Sequence, residues 1–131
     1  MAPPIPDPDA PSPEDLAGTL VYARQLVARN ELRRAAKVLE EFVARTPDPE
    51  ALLMLAKIEL ERPVTQPQAL EHLRLATVAN PQLTEAWLLL ANYWSLRGQP
   101  EKQKRCLEKV LSYDPRNRDA RDALELLVTR R

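Results

Sequence analysis

The sequence has very little glycine or cysteine and no long apolar run. Its 2 glycines in 131 residues disfavour Gly-rich phosphate loops and turn-dense sheets, because both need residues with positive φ. The single cysteine, Cys106, excludes an internal disulfide and a zinc site built from four cysteines. No apolar run approaches the roughly 18–20 residues of a membrane span, so none is predicted. What remains is the composition of an ordinary folded protein, with 44% hydrophobic and 29% charged residues.

The chain also lacks a net charge, since 19 basic and 19 acidic residues cancel. This balance argues against a protein built mainly to neutralise nucleic-acid phosphates. The charges are unevenly distributed along the chain. Residues 1–96 contain 9 Lys or Arg and 13 Asp or Glu, whereas residues 97–131 contain 10 Lys or Arg and 6 Asp or Glu. The basic end is either a solvated helix face or a surface for head-to-tail self-association with the acidic end of another copy.

Proline, by contrast, is abundant, and its 13 positions reveal an internal repeat. Six prolines precede Glu14, so residues 1–14 are predicted to form an extended or disordered arm. This arm is either a tether or a ligand for a groove of this chain or its neighbour, with Ile5 as its large apolar anchor. Three other prolines are evenly spaced, and three leucines recur at the same interval: Pro47, Pro81 and Pro115, and Leu39, Leu73 and Leu107. The spacing predicts three copies of one unit.

Each copy has the apolar periodicity of two helices. The predicted units cover residues 15–47, 48–81 and 82–115, and a capping helix follows over 117–129. Asp48 and Asn117 are predicted N-caps, and Gly98 is predicted to end the first helix of the third unit. The motif from Ser12 to Asp15 offers an earlier start for the first helix. The N-terminus has neither the basic start nor the apolar core of a secretory signal, so a cytoplasmic location is expected if it is native.

The third copy, Trp87-x-x-Leu90-Ala91-x-x-Trp94 with Leu107 and a closing Pro115, resembles the tetratricopeptide repeat, whose period is about 34 residues. The matching residues of the other two copies are Thr19, Tyr22, Ala23, Leu26, Ala35, Leu39 and Pro47, and Leu52, Leu55, Ala56, Ala69, Leu73 and Pro81. The resemblance implies an all-α, right-handed α-solenoid of three helical hairpins plus a seventh, capping helix. Two departures stand out: Gln103 replaces the small residue where paired helices cross, and Glu59 replaces an aromatic.

In this family, the first helix of each hairpin lines a concave groove that binds a peptide or helix of a partner protein. The resemblance therefore implies a non-enzymatic interaction module acting as an adaptor or assembly scaffold. The groove residues that it implies are Leu20, Arg24, Val27, Leu53, Lys57, Leu60, Glu85, Leu88, Asn92 and Ser95. The three leucines Leu20, Leu53 and Leu88 either form an apolar stripe for an acidic amphipathic peptide or complete the core between adjacent hairpins.

Two further functions stay open. One is a chaperone that shields an apolar helix of a client, and the other is a homo-oligomeric scaffold built by end-to-end stacking. Binding of chaperone C-termini through a carboxylate clamp is not expected. The positions that would need basic or amide residues hold mostly apolar or acidic ones, among them Leu20, Met54, Glu85 and Asp119.

No catalytic, cofactor or metal site is predicted. His72 and Cys106, each the sole residue of its type, lie one full repeat apart on equivalent helices, too far apart for a Cys–His dyad. The carboxylates are expected to be scattered over helix surfaces. Nucleic-acid binding by the basic end is disfavoured, because acidic residues interleave with the basic ones and no exposed aromatic series is expected.

Overall fold

The computed structural model describes residues 10–12 and 14–129, and within them the chain is all-helical. The helices are α1 (Leu16–Ala28), α2 (Leu32–Arg45), α3 (Pro49–Glu59), α4 (Gln66–Ala79), α5 (Thr84–Leu96), α6 (Pro100–Tyr113) and α7 (Arg118–Thr129). A short 3-10 turn, Pro63–Thr65, precedes α4. Most of the predicted Pro-rich arm, residues 1–9 and 13, lies outside the described residues.

The helices pack in chain order, which gives a solenoid of stacked hairpins. α1 packs on α2, α3 on α4 and α5 on α6, and each hairpin then contacts the next through α2 with α3 and α4 with α5. α7 packs on α6 and closes the stack. The predicted all-α solenoid, with three hairpins and a seventh helix, is therefore confirmed.

The residues that recur once per repeat form the core of each hairpin. Leu39, Leu73 and Leu107 are all buried, at 2% exposure or less. Ala35 and Ala69 are fully buried, which is consistent with close approach of the paired helices. Each buried leucine stabilises the fold by about 2 kcal/mol through loss of apolar surface from water. In the third hairpin, Gln103 is only half-buried at the corresponding site.

The helix starts follow from capping residues and prolines. The backbone N–H of Ala51 donates to Oδ2 of Asp48 at 3.0 Å, and that of Ala120 donates to Oδ1 of Asn117 at 3.0 Å. Both predicted caps are thereby confirmed. The earlier start of the first helix is wrong, because α1 begins at Leu16. Asp15 caps it through a 2.9 Å hydrogen bond from the backbone N–H of Gly18.

The turns within the hairpins differ. Gly98 ends the third hairpin's first helix with φ +66°, and Asn30 does so in the first hairpin with φ +62°. Both are residue types that adopt the left-handed conformation readily. The second hairpin has the 3-10 turn at this place instead, with Val64 in the register of Gly98.

Candidate functional site

Two of the expected groove residues, one from the second hairpin and one from the third, lie side by side. Lys57 of α3 forms a salt bridge with Glu85 of α5, so the first helices of adjacent hairpins present these side chains side by side. Both side chains are about half exposed, and such a pair contributes at most about 1 kcal/mol to stability. The salt bridge matters more for ligand binding than for stability. Because Lys57 already has an acidic partner within the chain, it is less available to a carboxylate of a ligand.

The three leucines of the expected stripe occupy different environments. Leu53 is 3% exposed and belongs to the core shared by the second and third hairpins. Leu20 and Leu88 are half-buried and pack against the edges of the core clusters. The accessible surface therefore contains parts of Leu20 and Leu88 but not Leu53.

The remaining expected groove residues frame this surface with polar groups. Arg24, Asn92 and Ser95 are exposed or partly exposed, Val27 is 38% exposed, and Leu60 is half-buried. Arg24 has no ion-pair partner among residues 10–12 and 14–129. Arg24 is therefore an exposed cation of α1 without a paired carboxylate in this part of the chain.

Sequence reasoning missed two exposed leucines on the odd-numbered helices. Leu96 lies one helical turn beyond Asn92 on α5 and is 82% exposed, and Leu126 of α7 is 55% exposed. Leu126 comes one full repeat after Asn92, so the repeat register places it at the equivalent site of the closing helix. Extending this register past Pro115 would have identified it. We define the groove face as the surface formed by Leu20, Arg24, Lys57, Leu88, Asn92, Leu96 and Leu126.

A buried carboxylate pairs with a partly buried histidine in the second hairpin, which corrects the expectation that carboxylates occupy only helix surfaces. Glu59 is 5% exposed, and its Oε1 lies 2.6 Å from Nδ1 of His72 on α4. This hydrogen bond raises the pKa of His72 above its ordinary 6.5, against the opposing effect of burial. Glu59 occupies the site that Leu26 and Trp94 hold in the other hairpins, and its hydrogen-bond partner comes from the paired helix α4.

Aromatic and basic side chains meet along the contact between α5 and α6. The Nζ atom of Lys102 lies 4.2 Å from the ring centroid of Trp94, and that of Lys109 lies 6.0 Å from the ring centroid of Trp87. Both tryptophans are half-buried. We call these four residues the aromatic–basic seam. The sequence predicts no exposed aromatic series at the basic end, and the two indole rings found there are not fully exposed.

The described residues contain neither a metal-binding cluster nor a membrane-spanning helix. Over residues 10–12 and 14–129, no group of three or more His, Cys, Asp or Glu side chains is arranged to hold a metal ion. None of the helices described has both the length and the apolar character needed to cross a membrane. Cys106 is buried, and burial raises the pKa of its thiol above the ordinary 9.0.

Comparison with known proteins supports the fold and the repeat. Two crystal structures of MamA match 88% of this chain with TM-scores of 0.75 and 0.76, each at 20% sequence identity. The chain spans 63% of one MamA chain and 68% of the other. At this identity the likeness shows a common fold. No curated protein has a matching sequence. Residues 16–58 match the family model of the tetratricopeptide repeat, so this part of the chain is similar to that family, and the stacked hairpins have the same helical architecture.

Proposed function

We propose that the chain is a non-enzymatic adaptor or assembly scaffold that binds a peptide or helix of a partner protein on its groove face. The observation that carries the proposal is the alignment of exposed side chains on successive first helices, where Lys57 of α3 meets Glu85 of α5. Stacked hairpins present such a face as a continuous concave surface, which suits an elongated ligand better than a small molecule.

The groove face also defines the chemistry of its partner. Leu96 and Leu126 are exposed apolar side chains on adjacent odd-numbered helices, and they favour a ligand with an apolar stripe. Arg24 at the other end favours an acidic residue in that ligand, whereas Lys57 contributes less because Glu85 already pairs with it. The expected partner segment is therefore amphipathic, with apolar residues over the leucines and a carboxylate near α1.

Capture of partners by the purified chain tests this proposal. The variant Leu96→Glu/Leu126→Glu places two charges on the groove face at exposed sites, so it is expected to fold and to lose at least tenfold in captured partner. The matched control is Val78→Glu on α4, whose side chain is 79% exposed and lies on a second helix outside the groove face. Proteins captured by wild type and control are quantified by mass spectrometry against the double variant.

Equal capture by all three proteins would exclude the groove face as the binding surface. Leu53 is unsuitable for this test, because a glutamate there would be buried and would unfold the protein for reasons unrelated to binding. Circular dichroism of each variant separates loss of binding from loss of fold.

The two alternatives make different use of exposed apolar surface. A chaperone would cover an apolar client helix with the same groove face. This alternative predicts that capture follows the hydrophobicity of the client and not its acidic residues.

A homo-oligomer by end-to-end stacking is favoured by an open groove of about 370 Å³ where α7 meets the α5–α6 turn. Its lining includes Leu124, Leu127 and Val128, the last 68% exposed. A chain that stays monomeric in light scattering at every ionic strength would exclude this second alternative.

A further inference from the structure

One side of α6 presents three cations without acidic partners. Lys102, Arg105 and Lys109 are exposed and follow each other at intervals of three and four positions, so they share one helix face. Among residues 10–12 and 14–129, none of the three forms a salt bridge. This face lies on the second helix of its hairpin, and it is therefore distinct from the groove face, which the odd-numbered helices form.

The cations lie beside indole rings that are only half-buried. The Trp87–Lys109 and Trp94–Lys102 pairs of the aromatic–basic seam are two helical turns apart, a distance of about 10 Å along the helices. An open groove of about 440 Å³ runs beside the first pair, and Arg105, Lys109 and Glu108 contribute to its lining. Glu108 is the single acid in that lining, so the groove is predominantly basic.

A proline-rich, acidic segment fits this combination of groups. Proline rings dock on aromatic side chains in many complexes of polyproline II peptides. In that conformation, positions three apart lie on the same side and are separated by about 9 Å, which is close to the spacing of the two tryptophans. Carboxylates between the prolines would pair with the cations, which already lie beside the rings.

We propose that the aromatic–basic seam binds residues 1–9 of a second copy of this chain. Those residues contain four prolines together with Asp7 and Asp9, and they have no Lys or Arg. In the sequence they precede α1, the first helix of the stack, whereas the seam belongs to the third hairpin. The contact that we propose therefore joins two copies head to tail. This inference does not depend on the groove face binding a partner.

Sedimentation velocity of the full chain over a range of concentrations at low salt tests the proposal. The wild type is expected to associate, and about 0.5 M salt is expected to weaken the association at least tenfold, because solvent-exposed ion pairs are screened. Asp7→Lys/Asp9→Lys and Lys102→Glu/Lys109→Glu should each abolish association at low salt. Their combination in one chain restores opposite charges and should restore it. The matched control is Lys104→Glu/Arg118→Glu, which reverses two exposed charges outside the seam and should associate like the wild type.

Each other outcome contradicts the proposal. A wild type that stays monomeric at low salt, a fourfold variant that stays monomeric, or a control that is monomeric would each overturn it. The same proteins are titrated with a fluorescent oligo(dT). If the oligonucleotide binds and only Lys102→Glu/Lys109→Glu prevents it while the wild type remains monomeric, the seam takes nucleic acid and not the N-terminal segment. Circular dichroism excludes unfolding as the cause of any loss.

Discussion

The second and third hairpins follow the same backbone plan but fill one inward-facing site in different ways. In the second hairpin the site holds Glu59, which is 5% exposed and hydrogen-bonded to His72. In the third hairpin it holds Trp94, which is half-buried beneath the ammonium group of Lys102. The first hairpin has the simplest solution, a fully buried leucine, Leu26. The packing of the hairpins thus determines where this side chain lies. The residues of the paired helix determine whether a carboxylate, an indole or an aliphatic group is stable there.

The two hairpins differ in what remains when the partner of this side chain is removed. A carboxylate buried without a hydrogen bond is strongly disfavoured, so Glu59 depends on His72. The indole of Trp94 is apolar apart from its N–H, and it keeps most of its packing without Lys102. The second hairpin should therefore be more sensitive to loss of its partner than the third.

The largest expected effect is from His72→Ala. This change leaves the Glu59 carboxylate buried and unpaired, and it should lower the free energy of unfolding by about 3 kcal/mol. The equivalent change in the third hairpin, Cys106→Ala, removes one sulfur atom at the same repeat position and should cost about 1 kcal/mol. Urea denaturation at pH 7 measures both.

The double variant Glu59→Leu/His72→Leu separates the polar pair from its surroundings. It gives the second hairpin the leucine of the first, and replacing a buried polar pair by apolar residues is commonly neutral or stabilising. We expect a free energy of unfolding that is within about 1 kcal/mol of the wild type or above it. A double variant as unstable as His72→Ala would show that packing, and not the unpaired carboxylate, causes the loss.

The turns of the two hairpins give the next effect. Gly98 has φ +66° and nothing lies near the place of an added Cβ atom, so Gly98→Ala is opposed by backbone conformation alone. The expected loss is about 1 kcal/mol in the free energy of unfolding. Val64→Ala, in the same register of the second hairpin but within the 3-10 turn, should change it by less than about 0.5 kcal/mol. Equal losses from the two changes would contradict this account of the turns.

A smaller effect is a pH dependence located in the second hairpin. Because the hydrogen bond to Glu59 raises the folded-state pKa of His72 above 6.5, the protonated imidazole is favoured more in the folded chain than in the unfolded one. The resulting stability is fully present below about pH 6.5 and is lost as the pH rises through the folded-state pKa. The free energy of unfolding should therefore be greater at pH 6 than at pH 8. His72→Gln should remove this difference, and a difference that survives in the variant would assign it to other groups.

The sequence predicted the helices better than it predicted the surfaces. Proline spacing and apolar periodicity located the hairpins, because Leu39, Leu73 and Leu107 recur in the same packing environment. The burial of Glu59 could not be read from the chain, because it depends on His72, which lies on a different helix. The burial of Leu53 could not be predicted either. Its position in the helical pattern places it on the expected groove side of α3, but its exposed fraction depends on how closely the next hairpin packs. Side-chain depth and pairing between helices are set by packing that a single helical pattern does not specify.

The smallest expected effect concerns the third hairpin's own pair. Lys102→Met keeps the aliphatic length over Trp94 but removes the charge, so it should lower the free energy of unfolding by only about 0.5 kcal/mol, the contribution of an exposed cation–π contact. Lys104→Met, on the same helix but with no aromatic ring beneath its ammonium group in the described part of the chain, is the matched control and should have no measurable effect. Tryptophan fluorescence during urea denaturation measures both. A loss from Lys102→Met as large as that from His72→Ala would mean that the two hairpins depend equally on their partners, and the contrast between a buried carboxylate and a half-buried ring would then not govern stability.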